Sequence, residues 1–452
     1  MTMRCLRHAG RTHALSITVL LLVVVVATTP AVSAETGKGP LAPAYIVHSG
    51  ATPLTVLDTT QRTVAGTVPS GPAATRMALS PAGTRAYVTS SANDSITVVD
   101  VNAAAELTQF GTGGAPGQIA VSRTGSRLFV LLDSGVLQVL DAQTGAELDR
   151  LDVGASGGMA LHPNGRLYVA AGPLIEIDTT DGTVRRTIPV TEGTGAHDMV
   201  LAPDGRTAYV LSSEIFTGGV DVVDLETGEV VARVGLGSIP GPVAIAPDGD
   251  QLFVAIAATF VDTGYGAGWL PGRSIAVIDT ASRERTSTID LGADGSAWTL
   301  QNTAAGLAVT PDGATVLASV PRLSAVLVAN RSTGVVEETI ATAAGPRQLV
   351  VPTPAPVDAI RDAGRTAAAV PGTVVPNVLA NDTAGGVTAT LSTVRLRQVS
   401  TTSPDVALDG SDGSVDLLHP ATSGRETLVY RVCSLTAAQV CDRARVTVRL
   451  TG

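Results

Sequence analysis

The stretch from Arg76 to Asp100, RMALSPAGTRAYVTSSANDSITVVD, decides the architecture. An apolar run, Met77-Ala78-Leu79, leads into Ser80-Pro81-Ala82-Gly83, and a second run, Ala86-Tyr87-Val88, leaves it. Proline fixes φ at one turn position and glycine accepts positive φ at a later one, so the two runs form a tight hairpin. A third strand then ends on Val98-Val99-Asp100. The same turn returns at Ser122-Arg123-Thr124-Gly125, His162-Pro163-Asn164-Gly165, Ala202-Pro203-Asp204-Gly205, Ala246-Pro247-Asp248-Gly249 and Thr310-Pro311-Asp312-Gly313, at a spacing of roughly forty residues. The acid that ends the third strand returns as Asp58, Asp141, Asp178, Asp224 and Asp279, with Asn330 as its variant. An Asp there accepts hydrogen bonds from backbone amides two residues on, so the repeated carboxylate reads as a hairpin nucleus and not as catalysis. A fourth strand such as Val230–Val234 follows.

Four short antiparallel strands repeated seven times predict a β-propeller, in which each blade buries both faces against its neighbours. Residues 44 to 71 supply only the second, third and fourth strands of the first unit, and Pro346 to Pro352 supplies an orphan first strand. Pairing the two ends completes that unit and locks the ring. The expected class is therefore all-β, a seven-bladed β-propeller followed by a small β-sandwich. Tyr87-Val88-Thr89-Ser90, with looser copies at Tyr168-Val169-Ala170 and Tyr209-Val210-Leu211, resembles the signature of the YVTN-type seven-bladed propeller family. The resemblance spans about residues 44 to 352 and implies the fold. It leaves function open, because relatives include surface proteins, binding proteins and some enzymes.

Composition sets the outer limits. With 452 residues, 44% hydrophobic and 15% charged, the chain belongs with soluble globular proteins of two or three domains. Arg4, Arg7 and Arg11 precede an apolar core from Ala14 to Thr28, and Ala31-Val32-Ser33-Ala34 offers small residues at the cleavage positions. Residues 1–34 thus read as a signal peptide, with no membrane span after cleavage and a secreted or cell-surface destination. Beyond residue 34, 27 Lys and Arg face 40 Asp and Glu, which disfavours a nucleic-acid partner. Four histidines (His48, His162, His197, His419) and two cysteines remain, without metal-ligand spacing. HExxH, GxSxG, CxxC and phosphate-loop motifs are missing, so no metal, cofactor or catalytic residue is assigned.

The domain reading is a linker at 35–43, the propeller at 44–352 (first blade closed by 346–352), a proline-rich linker at 353–357 and a sandwich at 358–452. Gly372 to Asp382 and Leu428 to Val448 resemble bacterial immunoglobulin-like or cadherin-like repeats. The second stretch reads as a terminal hairpin whose turn is flanked by Cys433 and Cys441, expected to pair as a disulfide outside the cell. Asn381-Asp382 and Asp409-Gly410-Ser411-Asp412-Gly413 read as solvated turns, with calcium as the alternative if the cadherin-like resemblance extends that far.

Two places are candidate sites. Ala258 to Gly272 and Gly292 to Thr303 break the repeat on one face, and they carry Phe260, Tyr265, Trp269 and Trp298 in a chain with few aromatics. Aromatic loops on a rigid scaffold suit recognition, while packing of the two inserts on each other as a lid is the plainer alternative. The second place is the channel mouth, where the entry position of each inner strand reads Arg76, Gln118, Gly158, Asp198, Pro242, Gly306 and Gln348, with His197 and Arg347 one residue earlier. Arg76, His197, Asp198 and Arg347 are placed to face one another there. The expected function is a secreted or surface-associated monomer that binds an extracellular protein or a cell-wall saccharide. The alternative is an exported propeller enzyme, a lactonase-like hydrolase or metal-assisted redox protein, working at the channel mouth.

Overall fold

The computed structural model describes residues 43–50, 53–155, 157–162, 164–190, 196–213, 218–262, 267–292, 303–352, 357–367, 370–384, 387–391, 394–420, 423–434 and 441–451. The expected signal peptide, residues 35–42 and residues 353–356 of the second linker lie outside this set.

Seven antiparallel sheets follow one another between Pro43 and Val350. Six have four strands, and the sheet that runs from Ile239 to Asp290 has five. Within each sheet the middle strands are apolar on both faces. Arg85–Ser90 and Ser95–Asp100 are buried along almost their whole length. The outermost strands face water, as Glu147–Asp152 does. Burial on both faces demands a neighbour on each side, and every apolar cluster joins two successive sheets. Tyr87, Ile96 and Val98 of the second sheet pack with Leu128, Val130 and Leu140 of the third. Ala308, Leu317 and Val326 of the seventh pack with Ala44, Ile46 and Leu57 of the first. The last sheet therefore meets the first, the arrangement of a β-propeller.

The two ends of the region are stitched together as the sequence implies. Pro346–Val350 pairs antiparallel with Pro43–His48, with Tyr45 opposite Val350 and Ile46 opposite Leu349. The recurring turns also take their expected form: the Gly83 amide donates to the Ser80 carbonyl at 2.8 Å, and Gly83 sits at φ +68°. The third-strand acids nucleate the second hairpin of each sheet. Asp141 Oδ1 accepts from the Gln143 and Thr144 amides at 3.0 and 2.8 Å, and Asp224 Oδ1 from Glu226 and Thr227 at 2.9 and 2.8 Å. These amide bonds hold the Asp141 and Asp224 carboxyls below the usual range. The repeated aspartate is structural.

After Val357 the strands build a second all-β unit. Asp362–Ala367, Cys441–Thr451, Gly424–Ser434 and Val394–Thr401 form one sheet, whose first two strands run parallel. Gly372–Val375, Val415–Leu417 and Val406–Leu408 form another. Both bury side chains in one core around Val415, Leu428, Tyr430 and Val446, which makes this unit a sandwich. Its terminal hairpin places Cys433 directly opposite Cys441. One expectation is corrected here. Asp382 is fully buried and accepts the Ile360 amide at 2.6 Å, so it is an internal anchor and not part of a solvated turn. Asp409 does behave as a turn residue, taking the Ser411 amide and hydroxyl at 2.7 and 2.6 Å.

Candidate functional site

In each sheet, the first-to-second and third-to-fourth turns lie at one end and the second-to-third loop and the link to the next sheet at the other. The sixth sheet departs from this plan at the second end. Its second strand, Gln251–Asp262, runs 12 residues and doubles back on the extra strand Ala267–Pro271. The insertion is therefore a β-ribbon that continues the sheet outward, with Phe260 opposite Trp269 and Thr259 opposite Leu270. Ser238 is bonded to Thr259 through their hydroxyls at 3.1 Å, which ties the base of the ribbon to the inner strand. Gly272 allows the return: a Cβ there would lie 1.5 Å from the Ile256 carbonyl oxygen. Tyr265 and Trp298, and with Trp298 most of the second insert, lie outside the described residues, as do the side chains of Trp269 and His197.

The channel mouth is built by the inner strands, which succeed one another around the ring. Three of its seven entry positions contribute no extended side chain. Gly158 and Gly306 are required by close backbone approach, since a Cβ would fall 2.6 Å from the Asp198 Cα and 2.2 Å from the Arg347 carbonyl oxygen respectively. Pro242 is the third. Gln348 is occupied in holding two sheets together, its Oε1 accepting from the Met77 amide at 2.7 Å. Hydroxyls on the second strands do similar work: Thr89 donates to the Gly117 carbonyl at 3.1 Å and Ser319 to the Arg347 carbonyl at 2.5 Å. Of the expected charged group, Arg76, Asp198 and Arg347 share one field. Burial lowers the Arg76 pKa, Asp198 opposes that fall and Arg347 adds to it. A residue of the second sheet thus senses a residue of the fifth, across the ring. Asp198 Oδ1 accepts its neighbour's amide, Met199, at 2.9 Å.

A cavity of about 140 Å³ lies away from both places, between the third and fourth sheets. Phe129, Leu137, Leu151 and Ile177 line it. Its polar groups already have partners: Arg127 donates to the Thr179 carbonyl at 2.6 Å, and Asp178 accepts from Arg185 Nε at 2.8 Å. We read it as a packing gap between blades. Sequence reasoning had no signal for it, since a gap between sheets depends on side-chain shapes. Among the described residues, no group of three or more His, Cys, Asp or Glu side chains is placed to hold a metal ion. Nor, among them, is any helix long and apolar enough to cross a membrane.

Known proteins agree on the fold. No protein-family model matches the chain, and no curated protein matches it. Among solved structures it is similar to hydrazine synthase of Kuenenia stuttgartiensis, at 20% identity and a TM-score of 0.55, covering 61% of this chain and 88% of that one. It is also similar to a protein of unknown function from Desulfotomaculum acetoxidans, at 14% identity and a TM-score of 0.56, covering 69% and 99%. The dihydro-heme d1 dehydrogenase NirN, in complex with DHE, aligns at 19% identity with a TM-score of 0.47, covering 70% and 76%. At these identities the likeness concerns architecture alone. The chain is an all-β protein of propeller type.

Proposed function

We propose that the protein is an exported binding protein, in which a seven-bladed propeller presents the sixth-blade ribbon to an extracellular partner. The seven successive sheets and the pairing of Pro346–Val350 with Pro43–His48 support the blade count. The observation that carries the functional reading is the ribbon itself. It is the departure from the repeat that projects paired aromatic positions, Phe260 and Trp269, from the end of a rigid sheet. Flat aromatic pairs suit a saccharide ring or an apolar protein anchor. The leader and the mature acidity argue for export of a soluble monomer. In the same reading the C-terminal sandwich is an immunoglobulin-like spacer, stapled by a Cys433–Cys441 disulfide that the direct cross-strand register of the two residues favours.

Both tryptophans, Trp269 and Trp298, fall within the two inserts, so intrinsic emission reports on them alone. Titration of the mature protein with cell-wall fractions and soluble saccharides should give a saturable spectral shift that Trp269→Ala abolishes. A flat response with blue-shifted emission from both tryptophans would mean that the inserts are a packed lid, and would refute recognition on this face.

A further inference from the structure

We propose that the channel mouth holds a small oxyanion, the carboxylate or phosphate group of a ligand, between Arg76 and Arg347. This site is separate from the ribbon and does not depend on it. Arg76 opens the inner strand Arg76–Leu79, and Arg347 is the second residue of the inner strand Pro346–Val350. The two strands are neighbours, joined where Gln348 Oε1 accepts from the Met77 amide. Both arginines therefore leave their strands at the same end of the ring. Among the described residues, neither guanidinium makes a hydrogen bond or an ion pair. Arg347 is exposed, whereas Arg76 is half-buried.

A half-buried guanidinium without a partner is costly, because water is lost and nothing replaces its hydrogen bonds. One carboxylate, Asp198, acts on Arg76 from across the ring, and Arg347 acts against it. Among the described residues that act on Arg76, one is an anion and one a second cation, so the carboxylate is shared between two guanidinium groups. A planar or tetrahedral oxyanion between the arginines would supply the missing acceptors, and guanidinium forks bind such groups in a bidentate manner. Asp198 then has a defined role. It reduces the net charge and weakens anion binding, and so favours ligands whose remaining groups make further contacts.

The test is calorimetric titration of the mature protein with inorganic phosphate in one arm and citrate in the other, at low ionic strength. Saturable binding of either anion is expected, and the anion preferred identifies the oxyanion class. Arg347→Gln, at an exposed position, should weaken it at least tenfold, Arg76→Gln should do the same, and Asp198→Asn should tighten it several-fold. Thermal unfolding establishes that each variant is folded, and if Arg76→Gln is not, Arg347→Gln decides alone. Absence of saturable binding in both arms overturns the proposal. So does binding that survives Arg347→Gln unchanged, or that Asp198→Asn weakens.

Discussion

The Tyr430 hydroxyl donates to the Asp362 carboxylate at 2.8 Å in the interior of the C-terminal sandwich. Asp382 Oδ2, the Ile360 carbonyl and the Val378 carbonyl surround the same hydroxyl at 3.0, 3.1 and 3.3 Å. One O–H proton cannot serve four acceptors at once, and two carboxylates converge on this hydroxyl. Burial pushes the Asp362 carboxyl up from its ordinary 3.8, although the bond from Tyr430 pulls the other way. The folded unit thus binds a proton more tightly than the unfolded chain at this position. Its contribution to stability is full below pH 3.8 and is lost as pH rises through the elevated value. Asp362→Asn, which mimics the protonated acid, should match the native protein at the acid end and exceed it towards neutrality. Hydrogen exchange of Gly424–Ser434 between about pH 3.5 and 7 reads this unit separately, and parallel profiles for the two proteins would refute it. Tyr430→Phe should lower stability by about 1–3 kcal/mol, since it leaves buried acceptors unpaired.

A second buried carboxylate is fully compensated. Glu176, on the middle of the fourth sheet, is clamped from both neighbouring strands, by Arg166 at 2.7 Å and Arg186 at 2.8 Å. Its side chain is 3% exposed. Removing one cation strands the charge, so Arg186→Ala should cost about 2–3 kcal/mol, whereas Glu176→Leu, which removes the charge itself, should cost less. Urea unfolding of the two variants gives the order, and a costlier Glu176→Leu would contradict it.

These two carboxylates show where the sequence stops being informative. The turns, the strand order and the joining of Pro346–Val350 to Pro43–His48 were legible because each depends on local rules: proline and glycine at fixed offsets, an acid two residues before the amides it caps, and a missing first strand that must be supplied from elsewhere. The extended hairpin of the sixth sheet was legible as a break in the repeat, but its form as a paired ribbon was not. Asp382 looked like a turn residue since Asn-Asp favours turns, and its burial depends on Tyr430 arriving from 48 residues further along. Gln348 is legible only as an entry position of the channel, and Thr89 only as part of the family signature. Their bonds to Met77 and Gly117 cross from one sheet to the next, and no local rule encodes such distances. Arg76 and Arg347 are placed at the channel mouth by repeat position alone, while the absence of a hydrogen bond or ion pair to either guanidinium among the described residues is a property of the assembled ring.

Two turn glycines differ in what they tolerate. Gly83 lies at φ +68° with nothing within 4 Å of where a Cβ would sit, whereas Gly145 lies at φ +72° with the Phe110 ring 2.3 Å from that position. Gly83→Ala should cost only the left-handed backbone penalty, about 1 kcal/mol. Gly145→Ala adds an overlap with a buried ring and should cost about 3 kcal/mol. Chemical denaturation of both variants measures the gap. Equal losses would mean that Phe110 moves aside freely.

The junction of the two ends should control how the propeller opens. Leu349 is buried with Ala44, Ile46 and Val326, joining the seventh sheet to the first, and Gln348 links the same strand to Met77. This strand meets its partner across about 300 residues of intervening chain, a contact that gains nothing until the rest of the ring is formed. Leu349→Ala should cost about 2–4 kcal/mol through the cavity it leaves, and Gln348→Ala about 1–3 kcal/mol through the unpaired Met77 amide. Because a ring opens where its last strand is held least firmly, limited proteolysis of Leu349→Ala should cut first within Pro43–Val68, with the third to sixth sheets surviving as a large fragment. Simultaneous loss of all sheets at the same protease concentration would instead mean that the ring unfolds as one cooperative unit, with no weak point at its junction.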